Sequence, residues 1–204
     1  MTTPTAGPAP VEVSEPDRAR LLELARAAVG VAAGARQQGD LDDAIDAGPV
    51  PAFPAAVFVT LLVRDELRGC MGTLDPDGAV WAAVVETAGW AARRDPRFEP
   101  VRARELASIK IDVSILGPME PLADPATFRP GTDGIVIMRA GHRGLLLPEV
   151  ADDVGHGPTD MLEAVCRKAG LRSGAWREEG TSLSVFRTLR FGGPALVAQA
   201  APGA

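Results

Sequence analysis

The chain has 204 residues, enough for one hydrophobic core or two small lobes, and its 46% hydrophobic and 24% charged residues are typical of a soluble globular protein. A net charge of −6 and the absence of tyrosine argue against a nucleic-acid surface, which is usually basic and rich in aromatic side chains. The sequence starts without the basic and apolar regions of a signal peptide, and no apolar run reaches the roughly 20 residues of a membrane-spanning helix. We therefore expect a cytoplasmic protein that binds neither nucleic acid nor membrane.

The two ends of the chain differ in composition from its centre. Residues 1–13 and 193–204 are rich in Pro, Ala and Gly without periodicity, and we predict disordered tails around a domain of residues 14–192. The first element of this domain is a helix that Ser14 is placed to cap, and apolar residues at helical spacing continue it to about Gly34.

Residues 37–54 form an acidic segment that ends in prolines. We predict a solvated connector here, because acidic clusters usually lie on the surface. A calcium loop beginning at Asp40 is excluded, since its sixth and twelfth positions lack the glycine and glutamate that such a loop needs. No metal site is predicted elsewhere either, because His142 and His156 have no metal-binding spacing and no C-x-x-C or H-E-x-x-H motif occurs.

A hairpin is predicted next. Val57–Val63 is apolar on both alternating faces, which indicates a strand that is buried on both sides. A loop at residues 64–66 then leads into the sequence LRGCMGTL, residues 67–74, which completes the hairpin as its second strand.

Cys70 in this second strand has two interpretations. In a regular strand Arg68, Cys70 and Gly72 share one face, so a guanidinium would lie beside the thiol and favour the nucleophilic thiolate. Gly72 would then leave the sulfur next to a hollow or a closely approaching backbone. A purely structural interpretation uses the same residues, because cysteine is often buried and strand glycines such as Gly69 and Gly72 often mark a bulge or a close crossing.

A turn at Asp75–Gly78 precedes a predicted helix over residues 79–94. This helix is apolar or small on both sides, which predicts that it is sandwiched between two layers. Glu86 and Trp90 lie one turn apart on one side of it. They could provide a carboxylate base and an aromatic wall, or they could be a surface acid and a packing residue.

Asp95 and Arg97, in the sequence DPRF after this helix, also allow two roles. They could take part in catalysis, or they could form an ion pair or carbonyl cap that ends the helix, which is the interpretation that we favour. The second cysteine, Cys166, lies on the apolar stripe of a later helix and is predicted to be part of the core.

The remaining elements indicate one fold class. They are a half-buried strand at 109–116, a hairpin from 134–139 and 143–148, a helix over 160–170 with Thr159 as its cap, and a strand at 181–191. Tight hairpins without regular strand–helix–strand alternation predict an α+β fold with mostly antiparallel sheets and flanking helices.

Sequence motifs of common cofactor and hydrolase sites are absent. The chain contains no G-x-G-x-x-G, no P-loop and no G-x-S-x-G. We therefore predict no cofactor, and the groups that remain for chemistry are a thiol, several arginines and a few carboxylates.

Several separated motifs nevertheless resemble one family. They are VFVTL, LRGCMGTL, RDPRFEPV, IKIDVSIL, RGLLLPEVA and CRKAGLRSGAW, in the order and spacing of the AMMECR domain family. Within prokaryotes the chain is similar to protein A of the AmmeMemoRadiSam system, in which the domain is associated with a Memo-like protein and a radical SAM protein. The resemblance implies an α+β domain with antiparallel sheets in two unequal lobes, and it implies those two proteins as partners.

The resemblance also singles out individual positions. The residues that match are Arg68, Gly69, Cys70 and Gly72 in the signature strand, and Glu86, Asp95, Arg97 and Phe98 in the next helix and at its end. Met71 and Leu74 depart from the expected isoleucine and aromatic residue, and His156 stands where tryptophan is usual. Neither histidine belongs to a family motif, which argues against a Cys–His dyad.

Two hypotheses follow. In the first, the protein is an enzyme in which Cys70 is the nucleophile, Arg68 stabilises its thiolate or an anionic substrate group, and Glu86 moves a proton. A small molecule would then contact the binding residues, which are Gly69, Gly72, Trp90 and Arg97. In the alternative, the protein is a binding or adapter module in which the signature strand shapes a groove for a partner protein or small ligand and Cys70 is structural.

Overall fold

The computed structural model of the chain describes residues 8–9, 11–74 and 78–193. Most of both predicted tails lies outside these residues, as does the predicted turn at Asp75–Gly78 apart from its last residue. The helices and strands are α1 (Glu15–Ala32), α2 (Gln38–Asp46), β1 (Ala56–Val63), β2 (Glu66–Thr73), α3 (Val80–Arg93), β3 (Ile109–Leu116), β4 (Glu120–Pro121), β5 (Gly134–Arg139), β6 (His142–Leu146), α4 (Ala151–Val154), α5 (Pro158–Lys168), β7 (Ser182–Phe186) and β8 (Thr188–Gly193). None of the described helices is both long enough and apolar enough to span a lipid bilayer.

These elements divide into two structural units. The first unit holds the described residues of 12–115 and 190–193, and the second holds Leu116–Leu189 with the described residues before position 12. Each unit is built around one four-stranded antiparallel sheet, with strand order β2-β1-β3-β8 in one and β4-β7-β5-β6 in the other. The predicted α+β class with antiparallel sheets and flanking helices is confirmed.

In the first unit, α3 lies between α1 and the β1–β2 hairpin, as its two apolar sides predict. Helix α1 begins where expected, because the Ser14 hydroxyl oxygen accepts a hydrogen bond from the Asp17 backbone N–H at 3.3 Å. Val84 and Ala88 of α3 are fully buried between the two layers. This packing fixes the helix against the strand that carries Cys70.

The acidic segment is exposed at its aspartates, as predicted, but it is more than a connector, because residues 38–46 form α2. The Asp40 carboxylate accepts a hydrogen bond from the Gln37 backbone N–H at 2.7 Å, so an acidic side chain stabilises the helix start. Leu41 is the buried residue of this helix, and Arg20 of α1 donates to the carbonyl oxygen of Ile45 near its end. One apolar anchor and two polar contacts therefore order a segment whose composition is typical of a loop.

The β1–β2 hairpin is confirmed, with a two-residue turn in which Arg64 and Asp65 both have positive φ. Strand β1 is not buried equally on both sides, however. Val57, Val59 and Leu61 are fully buried, whereas the residues between them are only half-buried. The hairpin therefore has one core face and one partly exposed face.

In the second unit, the predicted β5–β6 hairpin and the helix α5 are both present. The helix begins at Pro158 after Gly157 rather than after Thr159, and it ends as predicted before Gly170, which has positive φ. Its buried side chains, including Cys166, pack into the core of this unit.

The last predicted strand, 181–191, is in fact two strands that belong to different sheets. Strands β7 and β8 are separated at Arg187, whose guanidinium donates to the buried Asp133 carboxylate at 2.6 Å. Both sheets require the same two-residue alternation, so the sequence pattern continues through the point where the chain leaves one sheet for the other.

The motif CRKAGLRSGAW has a structural explanation in this unit. Glu163 of α5 accepts hydrogen bonds from the Trp176 indole N–H at 2.9 Å, the Ser173 hydroxyl at 2.8 Å and the Gly174 backbone at 3.0 Å. The Trp176 hydrogen bond is the main reason that the pKa of Glu163 is lowered. Arg177 stacks over the indole at 3.7 Å from its centroid. The motif thus ties the loop after α5 back to the helix.

Candidate functional site

A one-residue shift in the hairpin register decides which way Cys70 faces. Val63 pairs with Glu66 and Leu62 with Leu67, but the next pair is Leu61 with Gly69, so Arg68 is a bulge without a partner. A regular hairpin would place Cys70 opposite buried Val59. The bulge instead places it opposite Thr60, on the partly exposed face, because a shift of one residue exchanges the two faces of a strand.

The two glycines beside Cys70 each accommodate a close neighbour. A Cβ on Gly69 would lie 2.3 Å from the Ala91 carbonyl oxygen, so this glycine allows the backbone of α3 to approach β2. A Cβ on Gly72 would lie 2.3 Å from the ring of its cross-strand partner Phe58. The hollow predicted at Gly72 is therefore filled by that ring.

Cys70 itself is half-buried, and its sulfur has a hydroxyl neighbour. The Thr60 hydroxyl donates a hydrogen bond to the Cys70 Sγ over 3.3 Å. A hydroxyl donor stabilises a thiolate more than a thiol, because the hydrogen bond to the charged form is stronger. Sequence reasoning missed Thr60, because the strand glycines allow a bulge or a close crossing without specifying which, and the register depends on that choice.

Asp95 and Arg97 contact the backbone of Cys70 at the outer edge of strand β2. The Asp95 carboxylate is almost fully buried and accepts hydrogen bonds from the Cys70 N–H at 2.8 Å and the Arg97 N–H at 3.1 Å. It also forms a two-point ion pair with the Arg97 guanidinium, at 2.9 and 2.7 Å. Mainly because of the Arg97 hydrogen bonds, and despite burial, the pKa of Asp95 falls from 3.8 to about 2.

Arg97, rather than Arg68, is the cation associated with Cys70. Its Nη2 lies 3.5 Å from the Cys70 carbonyl oxygen. The pKa of Arg97 is raised, first by its hydrogen bond to Asp95 and also by attraction to Asp95 and Cys70. The ion pair that the sequence allowed for Asp95 and Arg97 is present, but it joins the end of α3 to β2 instead of only ending the helix.

Arg68 is occupied by a different carboxylate. Its Nε and Nη2 donate to the Glu105 side chain at 2.9 and 3.2 Å, and this ion pair is the first cause of a lowered pKa at Glu105. The Phe98 ring lies close to both arginines, 6.0 Å from the Arg68 guanidinium and 5.5 Å from that of Arg97. The structure therefore places Arg68 near the same cluster as Cys70 but pairs it with Glu105.

Glu86 and Trp90 lie elsewhere in the first unit. Both line a groove of about 560 Å³ between α1, α2 and α3, and Cys70 does not. Helix α3 approaches the Gly69 face of the hairpin, whereas Cys70 is on the opposite face. The predicted site residues thus separate into one group around Cys70 and another around this groove, and Glu86 is not placed to exchange a proton with the thiol.

Cys166 provides a contrasting thiol. It is fully buried in the core of the second unit, and burial is the main cause of its raised pKa. Among the described residues, no group of three or more His, Cys, Asp or Glu side chains could hold a metal ion.

The fold and the hairpin site define a class of α+β proteins with two antiparallel sheets and an Arg-Gly-Cys signature strand. A family model described as AMMECR1 matches residues 22–191, which is most of the chain. The protein therefore belongs to the AMMECR1 family, as the sequence motifs indicate.

Relatives and a solved structure agree with this assignment. A protein of Aeropyrum pernix is 39% identical over 189 residues, which cover 87% of this chain and 79% of that protein. Protein Ta0236 of Thermoplasma acidophilum is 34% identical over 191 residues, 90% of this chain and 91% of its own length. The crystal structure of uncharacterized protein PH0010 from Pyrococcus horikoshii matches with a TM-score of 0.76 and 30% identity, covering 86% of this chain and 90% of that one.

Proposed function

We propose that this AMMECR1-family protein uses Cys70 as a nucleophilic thiol that attacks a small electrophile. The observation that carries the proposal is the hydrogen bond from the Thr60 hydroxyl to the sulfur of the half-buried Cys70. A hydroxyl donor at the sulfur and a guanidinium at the Cys70 carbonyl oxygen are groups of the kind that accompany nucleophilic cysteines. Among the described residues, no carboxylate or histidine is hydrogen-bonded to the sulfur, and we propose that the thiol proton passes to solvent.

Comparison of the two cysteines tests this proposal. In a Cys166→Ser background, we expect Cys70 to react with iodoacetamide faster when folded than in denaturant at the same pH, because only the folded site holds the Thr60 hydroxyl against the sulfur. Cys166, in a Cys70→Ser background, should react far more slowly than either, because it is buried with a raised pKa. Mass spectrometry of quenched samples gives both rates. A folded Cys70 that reacts no faster than its unfolded control rules the proposal out.

Thr60→Val tests the hydrogen bond itself. Valine keeps the shape and strand preference of threonine but removes the donor, so the iodoacetamide rate of Cys70 should fall about fivefold, equivalent to about 1 kcal/mol. Thermal unfolding checks that the variant is intact. An unchanged rate in a folded Thr60→Val protein shows that the hydroxyl does not activate the thiol.

We also propose that the protein acts together with a Memo-like protein and a radical SAM protein, on the basis of its resemblance to protein A of the AmmeMemoRadiSam system. Co-purification with these two proteins tests the association. Cys70→Ser should leave the complex intact if the thiol acts on a substrate, whereas activity that depends on the complex should be lost.

An adapter function is the second candidate, and one observation favours it. The spaces at Gly69 and Gly72 are filled by Ala91 and Phe58, so both glycines have a structural role without any ligand. In that case Arg68→Ala should abolish partner binding, while Cys70→Ser is harmless to every function of the complex. This pair of results separates the adapter from the thiol enzyme.

A further inference from the structure

We propose that Arg97 is the anion-binding residue of the Cys70 site, so that the electrophile attacked by Cys70 carries a carboxylate or another small anionic group. This inference rests on the proposed nucleophilic role of Cys70 and specifies the substrate class. It also moves the anion-binding role from Arg68, where the sequence places it, to Arg97.

One edge of the Arg97 guanidinium has no hydrogen-bond partner among the described residues. Its Nε and Nη2 bind Asp95, and Nη2 also approaches the Cys70 carbonyl oxygen. Within the described part of the chain, Nη1 makes no hydrogen bond, and the side chain is 55% exposed. A guanidinium has five N–H donors in a planar fork, so one side remains open to an anion from solvent.

The charge of Asp95 does not cancel this effect at the surface. Its carboxylate is 2% exposed and accepts four hydrogen bonds, two from backbone N–H groups and two from Arg97. The negative charge therefore lies inside the protein, where two backbone N–H groups share its stabilisation with Arg97, while the exposed part of the guanidinium faces outward. A pair of this kind presents a fixed, oriented cation to an approaching ligand.

Arg68 differs in each of these respects. Its side chain is only 17% exposed, and Glu105, which takes both Nε and Nη2, is itself 28% exposed. An anion approaching Arg68 would therefore also meet a partly exposed carboxylate. Of the two arginines close to the Phe98 ring, Arg97 is the one that an anionic ligand can reach.

Two alkylating reagents that differ in charge provide the test. In each reaction the Cys70 thiolate forms a C–S bond to the methylene carbon while the C–I bond breaks and iodide leaves. Iodoacetate carries a carboxylate and iodoacetamide is neutral, so the ratio of their rates cancels the thiolate fraction and reports only the attraction of the anion. In a Cys166→Ser background, this ratio should be about threefold to tenfold higher in the folded protein than in denaturant, as expected for a unit charge a few ångströms away at the surface.

Variants of Arg97 complete the experiment. Arg97→Gln should reduce the ratio to its unfolded value, whereas Arg97→Lys, which keeps the charge, should restore most of it. Arg94→Gln is the matched control, because Arg94 is an exposed arginine of the same unit that lies over Trp90. It should leave the ratio unchanged. In the protein that keeps Arg97, 0.5 M salt should also lower the ratio of the two rates, since exposed charges are screened.

The outcomes distinguish the two proposals. Slow reaction of folded Cys70 with both reagents refutes the nucleophilic role and this inference with it. Fast reaction with a ratio that is the same in the folded protein, in denaturant and in Arg97→Gln leaves the nucleophile intact and overturns only the role of Arg97. A ratio that falls in Arg68→Ala but not in Arg97→Gln also overturns the role of Arg97, and it assigns anion binding to Arg68.

Discussion

Gly69→Ala is expected to destabilise the protein by about 3 kcal/mol, at the upper end of the usual cost of overpacking. The added Cβ would lie 2.3 Å from the Ala91 carbonyl oxygen, which belongs to the backbone of α3 and cannot turn aside as a side chain could. Either the helix or the strand must shift. Urea unfolding of the variant measures the change in the free energy of unfolding.

Gly89→Ala is the matched control for that substitution. Gly89 lies in α3, the helix that carries Ala91, but a Cβ at Gly89 would meet no atom within 4 Å. Alanine is the better helix former, so this variant should be more stable than the parent by about 0.5 to 1 kcal/mol. Equal effects of the two variants would show that the contact between α3 and β2 does not limit the space at Gly69.

Asp95→Asn should lower the free energy of unfolding by about 2 kcal/mol at neutral pH. The folded protein holds the pKa of Asp95 at about 2, below its ordinary value of 3.8, and a difference of this size corresponds to about that free energy. Because the folded pKa is depressed, the stabilisation is fully present above pH 3.8 and is lost as the pH falls through about 2.

The pH dependence distinguishes this ion pair from a simple packing effect. Urea unfolding measures the free energy of unfolding of the parent and of Asp95→Asn at each pH. The difference between the two proteins should be the same at pH 7 and at pH 5, and it should shrink toward pH 2. A difference that is constant down to pH 2 would mean that the carboxylate charge is not what stabilises the segment. Glu99→Gln is a suitable control, because Glu99 is an exposed acid a few residues further along the chain.

Much of the fold follows from local signals in the sequence. The Ser14 cap, the two hairpins and the end of α5 at Gly170 are each specified by residues close together in the chain. The break between β7 and β8 is different, since it depends on Arg187 reaching Asp133, 54 residues away. A contact at that separation leaves no mark on the local alternation.

The contacts within the candidate site also depend on residues that are far apart in the sequence. The sequence identifies Cys70 and both arginines, but the pairing of Arg68 with Glu105 joins residues 37 positions apart. The face of the hairpin that Cys70 occupies depends on the bulge at Arg68, and a regular register would have predicted the opposite face. Residue types were therefore predictable, whereas their partners were not.

Strand β2 is the outermost strand of its sheet, and the loop after α3 covers part of its edge. An outward N–H on an edge strand is a site at which another polypeptide can add as a further strand and begin aggregation. The Asp95 carboxylate takes up the N–H of Cys70, so this donor is withheld from intermolecular pairing. The DPRF segment thus blocks the addition of another strand at the same position where it holds the backbone of Cys70.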